Sequence, residues 1–125
     1  MKPMRFLDVE AVLFLHEASI ERFGGTLGIR DRDGLESAVF HPQNVYHYGG
    51  DVFDVAAAYA FHLAESQCFL DGNKRTAIGA ALNFLAGNDA LPKVDDIKLY
   101  DLMIGIAERR ATKGDLANYF RTSAK

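Results

Sequence analysis

Two long apolar segments of helical character, joined by a short polar loop, constrain the fold of this chain more than any other feature. From Asp51 onward, Phe53, Val55, Ala56, Tyr59, Ala60 and Leu63 place apolar side chains nearly all round a helix that fades near Gln67. A helix without a polar face belongs in the interior. A second such helix begins about Asn73 and runs to Ala86, where Gly87-Asn88 closes it. Two buried helices need others to cover them, and the flanking sequence supplies one-sided stripes suited to that task.

Before the central pair, Asp8 is placed as an N-cap. Val9, Val12, Leu13, Leu15, His16, Ile20 and Phe23 follow as one apolar stripe. Gly24-Gly25 stops this helix. A loop through Gly28-Ile29-Arg30-Asp31 leads to a short helix from about Asp33 to Phe40, which Pro42 is expected to end. The stretch Gln43 to Gly50 reads as a loop packed by Tyr46 and Tyr48. After Pro92, a helix is expected from about Asp95 to Arg109, and a last short one follows the Gly114-Asp115 cap signal to about Arg121. Ala90-Leu91-Pro92-Lys93-Val94 is the one place suited to a short extended piece. The expected class is all-α: about six helices around the central pair, as a single domain over residues 1–125.

Composition narrows the function classes. A hydrophobic fraction of 49% and a charged fraction of 25% are those of a soluble globular protein. A formal net charge of -3 argues against a general nucleic-acid binder, while leaving room for a local basic pocket. Cys68 has no intrachain partner, which fits a reducing compartment, and without a Cys/His cluster no structural zinc is expected. No secretory signal is visible, and the apolar stretches fall short of a membrane span. The expected location is the cytoplasm, with no membrane or direct nucleic-acid contact.

Chemistry concentrates in Asp71-Gly72-Asn73-Lys74-Arg75-Thr76, between the two buried helices. Gly72 permits a tight turn, and the residues after it form a helix's first turn, whose N–H groups lack intrahelical partners. With the helix dipole, those donors make an anion site. Arg75 can grip a phosphate in a bidentate manner, and Lys74 adds a mobile positive charge. Asp71 offers a hard oxygen suited to Mg²⁺, which usually arrives with nucleotide phosphates. The same pattern also describes an ordinary helix start with Asp71 as its cap, and both readings stand at this level.

The run Gln67-Cys68-Phe69-Leu70-Asp71-Gly72-Asn73-Lys74-Arg75-Thr76-Ala77 resembles the signature of the Fic/Doc family, H-P-F-x-D-G-N-x-x-R or H-x-F-x-D-x-N-K-R. The resemblance extends to Gly24-Gly25, Gly28-Ile29-Arg30-Asp31, Leu35-Glu36-Ser37-Ala38, Pro42, the Tyr46 to Tyr48 region and Ala56-Ala57-Ala58-Tyr59-Ala60. Downstream it reaches Phe84-Leu85-Ala86-Gly87-Asn88. Lys74 selects a branch. AMP-transferring members resemble one another in carrying glycine there, whereas Asn-Lys-Arg is similar to Doc, the toxin of an addiction module. The resemblance therefore implies a protein kinase using ATP and Mg²⁺ to phosphorylate a threonine of a translation factor similar to elongation factor Tu. It further implies inhibition by a Phd-like antitoxin that folds a disordered segment onto the toxin. In this reading Asp71 holds the metal, while Gly72, Asn73, Lys74, Arg75 and Thr76 bind phosphate and stabilise transferring charge. Phe69 anchors the loop.

The family motif opens with histidine as general base, and this chain has Gln67. Glutamine hydrogen-bonds but cannot hold a proton near neutral pH. Since general base catalysis contributes about 100- to 10,000-fold, strong impairment is expected. An inactivating change that lets a lethal toxin be produced, a degenerate toxin kept for binding, and transfer of the base role to another group are the three alternatives. Cys68 and His62 read as packing residues rather than substitutes, and His16 as structural or groove-lining. His41 and His47 show no metal-ligand spacing, and Arg109-Arg110 reads as a solvated helix end. The competing classes are thus an enzyme toxin, an inactive antitoxin-binding module, and an AMP transferase.

Overall fold

A computed structural model describes residues 3–124 and contains six helices. Helix α1 spans Val9–Phe23, α2 Arg32–His47, α3 Val52–Ser66, α4 Asn73–Gly87, α5 Asp96–Ala107 and α6 Lys113–Ser123. The all-α class holds.

Five N-termini are capped directly by a side chain, four by aspartate and one by threonine. Asp8 accepts from the Ala11 N–H, Asp31 from Gly34, and Asp95 from Ile97 and Lys98. Asp51 accepts from Phe53 and Asp54 while the Asp54 carboxylate reaches back to the Asp51 N–H. Such reciprocal caps satisfy two orphan donors at once. The last helix uses the same device, Thr112 with Asp115, so its cap lies ahead of the expected Gly114-Asp115.

Helix α3 is the centre. Val55, Ala56, Ala57, Ala58, Tyr59, Ala60 and Leu63 are all buried, and α3 packs against α2, α4 and α6. Its partner α4 buries Ala77, Ala80, Ala81, Phe84 and Leu85, and its other side meets α1. The alanines let the two helix backbones approach closely, while Tyr59 and Phe84, with ring centroids 5.2 Å apart, fill the wider part.

The second helix departs from expectation. It runs through Pro42 to His47 rather than stopping near Phe40, so Gln43–His47 is helix, not loop. Leu35, Ala38, Val39 and Pro42 are its buried residues, spaced as one stripe. Burying that stripe against α3 outweighs the single hydrogen bond that proline removes. Gly49, at φ 99°, then ends the segment. Tyr46 consequently sits on the last turn, edge-on to Phe6 at 5.7 Å, and Tyr48 is 91% exposed rather than packed. Residues 90–94 lie outside any helix, and among the described residues the one isolated β-bridge joins Ile29 to Phe69.

Two titrating groups bear on stability. His62 meets His41, ring centroids 4.0 Å apart, and lies 3.5 Å from Lys113 Nζ. Burial, reinforced by those two neighbours, lowers its imidazole to about 4. Burial alone would raise the Asp51 carboxyl, but hydrogen bonds from Arg121 and the Asp54 amide, with the Arg121 charge, hold it below its usual value. The folded state therefore binds fewer protons than the unfolded chain between about pH 4 and His62's ordinary 6.5, and stability falls on acidification through that window. The Asp51 contribution is lost only further down, as pH falls through the carboxylate range. Urea unfolding between pH 7 and 4 should show a loss of about 1–2 kcal/mol from His62, allowing for solvent screening at this half-buried position. His62→Gln should flatten the profile in that window.

Candidate phosphate-binding site

The loop between α3 and α4 begins with Gln67 in the left-handed region (φ 46°, ψ 45°) and ends with Gly72, also left-handed (φ 74°, ψ 20°). At the second bend Gly72 takes the positive φ without the penalty of a Cβ, and as the N-cap of α4 it supplies no side chain to the helix. The N–H groups of Asn73, Lys74 and Arg75 precede the first intrahelical bond, which runs from the Thr76 N–H to the Gly72 carbonyl. Their free donors and the dipole of a fifteen-residue helix converge at this point.

A cleft of about 530 Å³ opens there. Gln67, Leu70, Asp71, Gly72, Asn73, Lys74 and Arg75 form one wall, with Ala64 and Glu65 of α3 and Met103, Ile106 and Ala107 of α5 opposite. Six of the seven residues expected from sequence are thus brought together. The seventh, Thr76, is 1% exposed and absent from the wall, and its hydroxyl has no hydrogen-bond partner among the described residues.

The side chains divide their labour unequally. Asn73 Oδ1 accepts from the Phe69 N–H at 3.0 Å and its Nδ2 donates to the Phe69 carbonyl at 3.0 Å, so the carboxamide clamps the loop. Asp71 Oδ1 accepts from the Gly72 N–H at 2.8 Å and Oδ2 from the Thr26 N–H at 3.2 Å. It caps nothing in α4. Its exposed carboxylate keeps lone pairs for a cation, and no group of three or more histidine, cysteine or acidic ligands exists among the described residues. That donor set fits a hard cation completed by water and phosphate oxygens, as Mg²⁺ prefers, rather than an all-protein cage. Arg75 donates to the Gly24 carbonyl at 3.0 Å and lies 5.3 Å from the Phe23 ring centroid, which fixes its planar group beside the cleft. Lys74 is exposed and makes no such contact among the described residues.

Sequence reasoning missed the strap that holds this loop. Residues 24–31 run against 67–75 in reverse order. Arg30 donates from Nε (3.0 Å) and Nη2 (2.6 Å) to the Gln67 carbonyl, and the Arg30 and Asp31 amides donate to that of Cys68. The Leu70 N–H donates to the Gly28 carbonyl. A Cβ on Gly25 would lie 2.6 Å from Asp71 Oδ2, so the strap approaches closer than any side chain permits. His16 adds a bond of 2.8 Å between Nε2 and the Asp71 carbonyl. The available signal was the glycine spacing of the strap and one histidine within the apolar stripe of α1.

Neither alternative base fits. Cys68 is fully buried, and burial pushes its thiol up, away from a reactive thiolate. His62 faces His41 and Lys113 and lies outside the cleft wall. Gln67 itself is exposed on that wall.

The sequence profile of the Fic/DOC family matches residues 6–85, which include the strap, α3 and the loop. The chain belongs to the Fic/Doc family. Among its relatives, the "Protein kinase doc" of Escherichia phage P1 is 34% identical over 120 residues, covering 94% of each chain. The "Toxin Doc" of Mycolicibacterium smegmatis is 41% identical over 110 residues, covering 83% of this chain and 82% of that one. Both relatives belong to the Doc branch to which Asn73-Lys74-Arg75 pointed. The Asn73 clamp has a measurable weight: Asn73→Ala leaves both Phe69 backbone groups without their partner. It should cost about 1–3 kcal/mol in urea unfolding, since buried backbone groups left unpaired carry the full desolvation penalty.

Proposed function

We propose that the protein is the cytoplasmic toxin of a toxin–antitoxin module, a Doc-type kinase that transfers the γ-phosphate of ATP to a threonine of a translation factor similar to elongation factor Tu. A Phd-like antitoxin is its partner. The observation that carries this reading is the uncapped N-terminus of α4, opening into a cleft beside Asp71, Lys74 and Arg75. Relatives named as a Doc kinase and a Doc toxin support it.

In this reading the Asn73, Lys74 and Arg75 amides receive phosphate oxygens, and the two cationic side chains oppose charge that builds up on the transferring group. Asp71 would hold Mg²⁺, which would supply positive charge to offset that of the phosphates. Because Arg75 is tethered to Gly24, its orientation is set before substrate arrives, which avoids an ordering cost. The threonine oxygen forms its bond to the γ-phosphorus as the bond to the ADP oxygen breaks, and the threonine proton must leave. Gln67 stands where the motif histidine would take that proton. It can orient the hydroxyl by a hydrogen bond but cannot accept the proton, so transfer is impaired in this chain. Translation arrest in the cell would be weakened accordingly.

Gln67 also favours a second reading, an inactive module that still binds antitoxin. AMP transfer is disfavoured by the side chain of Lys74, which occupies the first turn where the AMP-transferring form has glycine.

Comparison of the chain with its Gln67→His variant in a bacterial lysate tests these readings, using ATP labelled at the α- or γ-phosphate. Transfer of γ-label to one protein of translation-factor size should rise about 100- to 10,000-fold in the histidine variant. Transfer of α-label would move the protein to the AMP-transferring branch. Absence of transfer with either label would leave the binding module.

A further inference from the structure

The softest joint of the loop is the peptide between Asp71 and Gly72. A glycine after a peptide bond accepts either orientation of that peptide, because its φ is not confined by a Cβ. A half-turn of this plane would carry the Gly72 N–H away from Asp71 Oδ1, 2.8 Å distant, and bring the carbonyl dipole towards the carboxylate. The first turn of α4 follows directly, so the direction of its free amides depends on which orientation prevails.

One side chain outside the loop touches this peptide's carbonyl. His16 of α1 is 2% exposed, and its Nε2 lies 2.8 Å from the Asp71 oxygen. A carbonyl only accepts, so Nε2 carries the hydrogen of this bond, which sets the ring's orientation. The ring also stacks on Phe69, centroids 3.7 Å apart and planes within 6° of parallel. Phe69 in turn is bridged to Ile29 and clamped at both backbone groups by Asn73. His16 therefore touches the loop at residues 69 and 71, and both contacts bear on its turn.

We propose that His16 is a positioning residue of the phosphate site: its Nε2–H bond to the Asp71 carbonyl, aligned by the stack on Phe69, locks the 71–72 peptide so that the Asp71 carboxylate and the first amides of α4 face the cleft. The inference rests on the phosphate-site reading above for its functional consequence, though not for its structural content.

Two variants separate the bond from the packing. His16→Phe keeps a ring against Phe69 and removes the donor. His16→Gln removes the ring and keeps a nitrogen donor at the same distance along the side chain. Each is compared with the parent by thermal unfolding, by calorimetric titration with ATP and Mg²⁺, and by the amide resonances of Gly72, Asn73 and Lys74 in ¹⁵N-labelled protein. The phenylalanine form should fold, bind ATP·Mg²⁺ about tenfold more weakly, as expected for one lost hydrogen bond, and show displaced loop amides. The glutamine form should return both readouts towards the parent. Parent-like affinity and resonances in the phenylalanine form would overturn the proposal, as would a folded glutamine form that recovers neither. If the phenylalanine form fails to fold, the glutamine form decides by the same two criteria. If the parent itself does not bind ATP·Mg²⁺, the nucleotide reading fails, and the loop amides alone pass judgement on His16.

Discussion

The close approach of α3 and α4 is the constraint on which the rest of this structure depends. Ala56, Ala57 and Ala60 on one helix and Ala77, Ala80 and Ala81 on the other are almost wholly removed from water. Side chains this small bring helix axes near without a void, and each buried residue adds apolar burial at little cost in side-chain entropy. Helices packed so closely and joined by residues 67–72 alone leave the chain little freedom between them. The connection must bend twice within a few residues, and it does so in left-handed conformations at Gln67 and Gly72.

A loop under that constraint has buried backbone groups to satisfy, and most of its partners come from elsewhere in the chain. The strap at 24–31 supplies donors to the carbonyls of Gln67 and Cys68 and a carbonyl for Leu70. Asn73 supplies both partners for Phe69. Among the described residues no side chain caps the amides at the start of α4, on the wall of a solvent-open cleft. The way the loop closes therefore leaves backbone donors at the start of α4 directed to a solvent-open cleft. The rigidity of the surroundings also means that a phosphate would meet donors already in place.

The polar groups away from the cleft follow a different economy. Arg121 reaches from α6 to Asp51 and Asp54 at the start of α3, a partly exposed network that ties the last helix to the central one. His41, His62 and Lys113 meet where α2, α3 and α6 converge, and the neutral form of His62 is the one the interior tolerates. Neither group points to the chemistry of the loop. They hold the frame on which the loop is stretched.

Much of this was legible in the residues themselves. The all-round apolar character of Val55 to Leu63 and of the segment after Asn73 determined a buried helical pair, because only the interior accepts a helix without a polar face. Asp8 marked a helix start by supplying an acceptor that the backbone needs. The order Asp71-Gly72-Asn73-Lys74-Arg75 determined a turn followed by a cationic first turn of helix, since glycine and helix geometry act within a few residues. Pro42 was misleading for the complementary reason: its local cost is a lost hydrogen bond, and the burial that offsets it comes from α3, distant in sequence. Only the tertiary structure decided that Asn73 spends its side chain on Phe69, that Thr76 turns inward, and that the strap and His16 grip the loop across some fifty residues of intervening chain, as the separation of 55 between His16 and Asp71 illustrates. Periodicity and capping are local properties and can be read along the chain. Which donor meets which carbonyl is settled by how the helices pack.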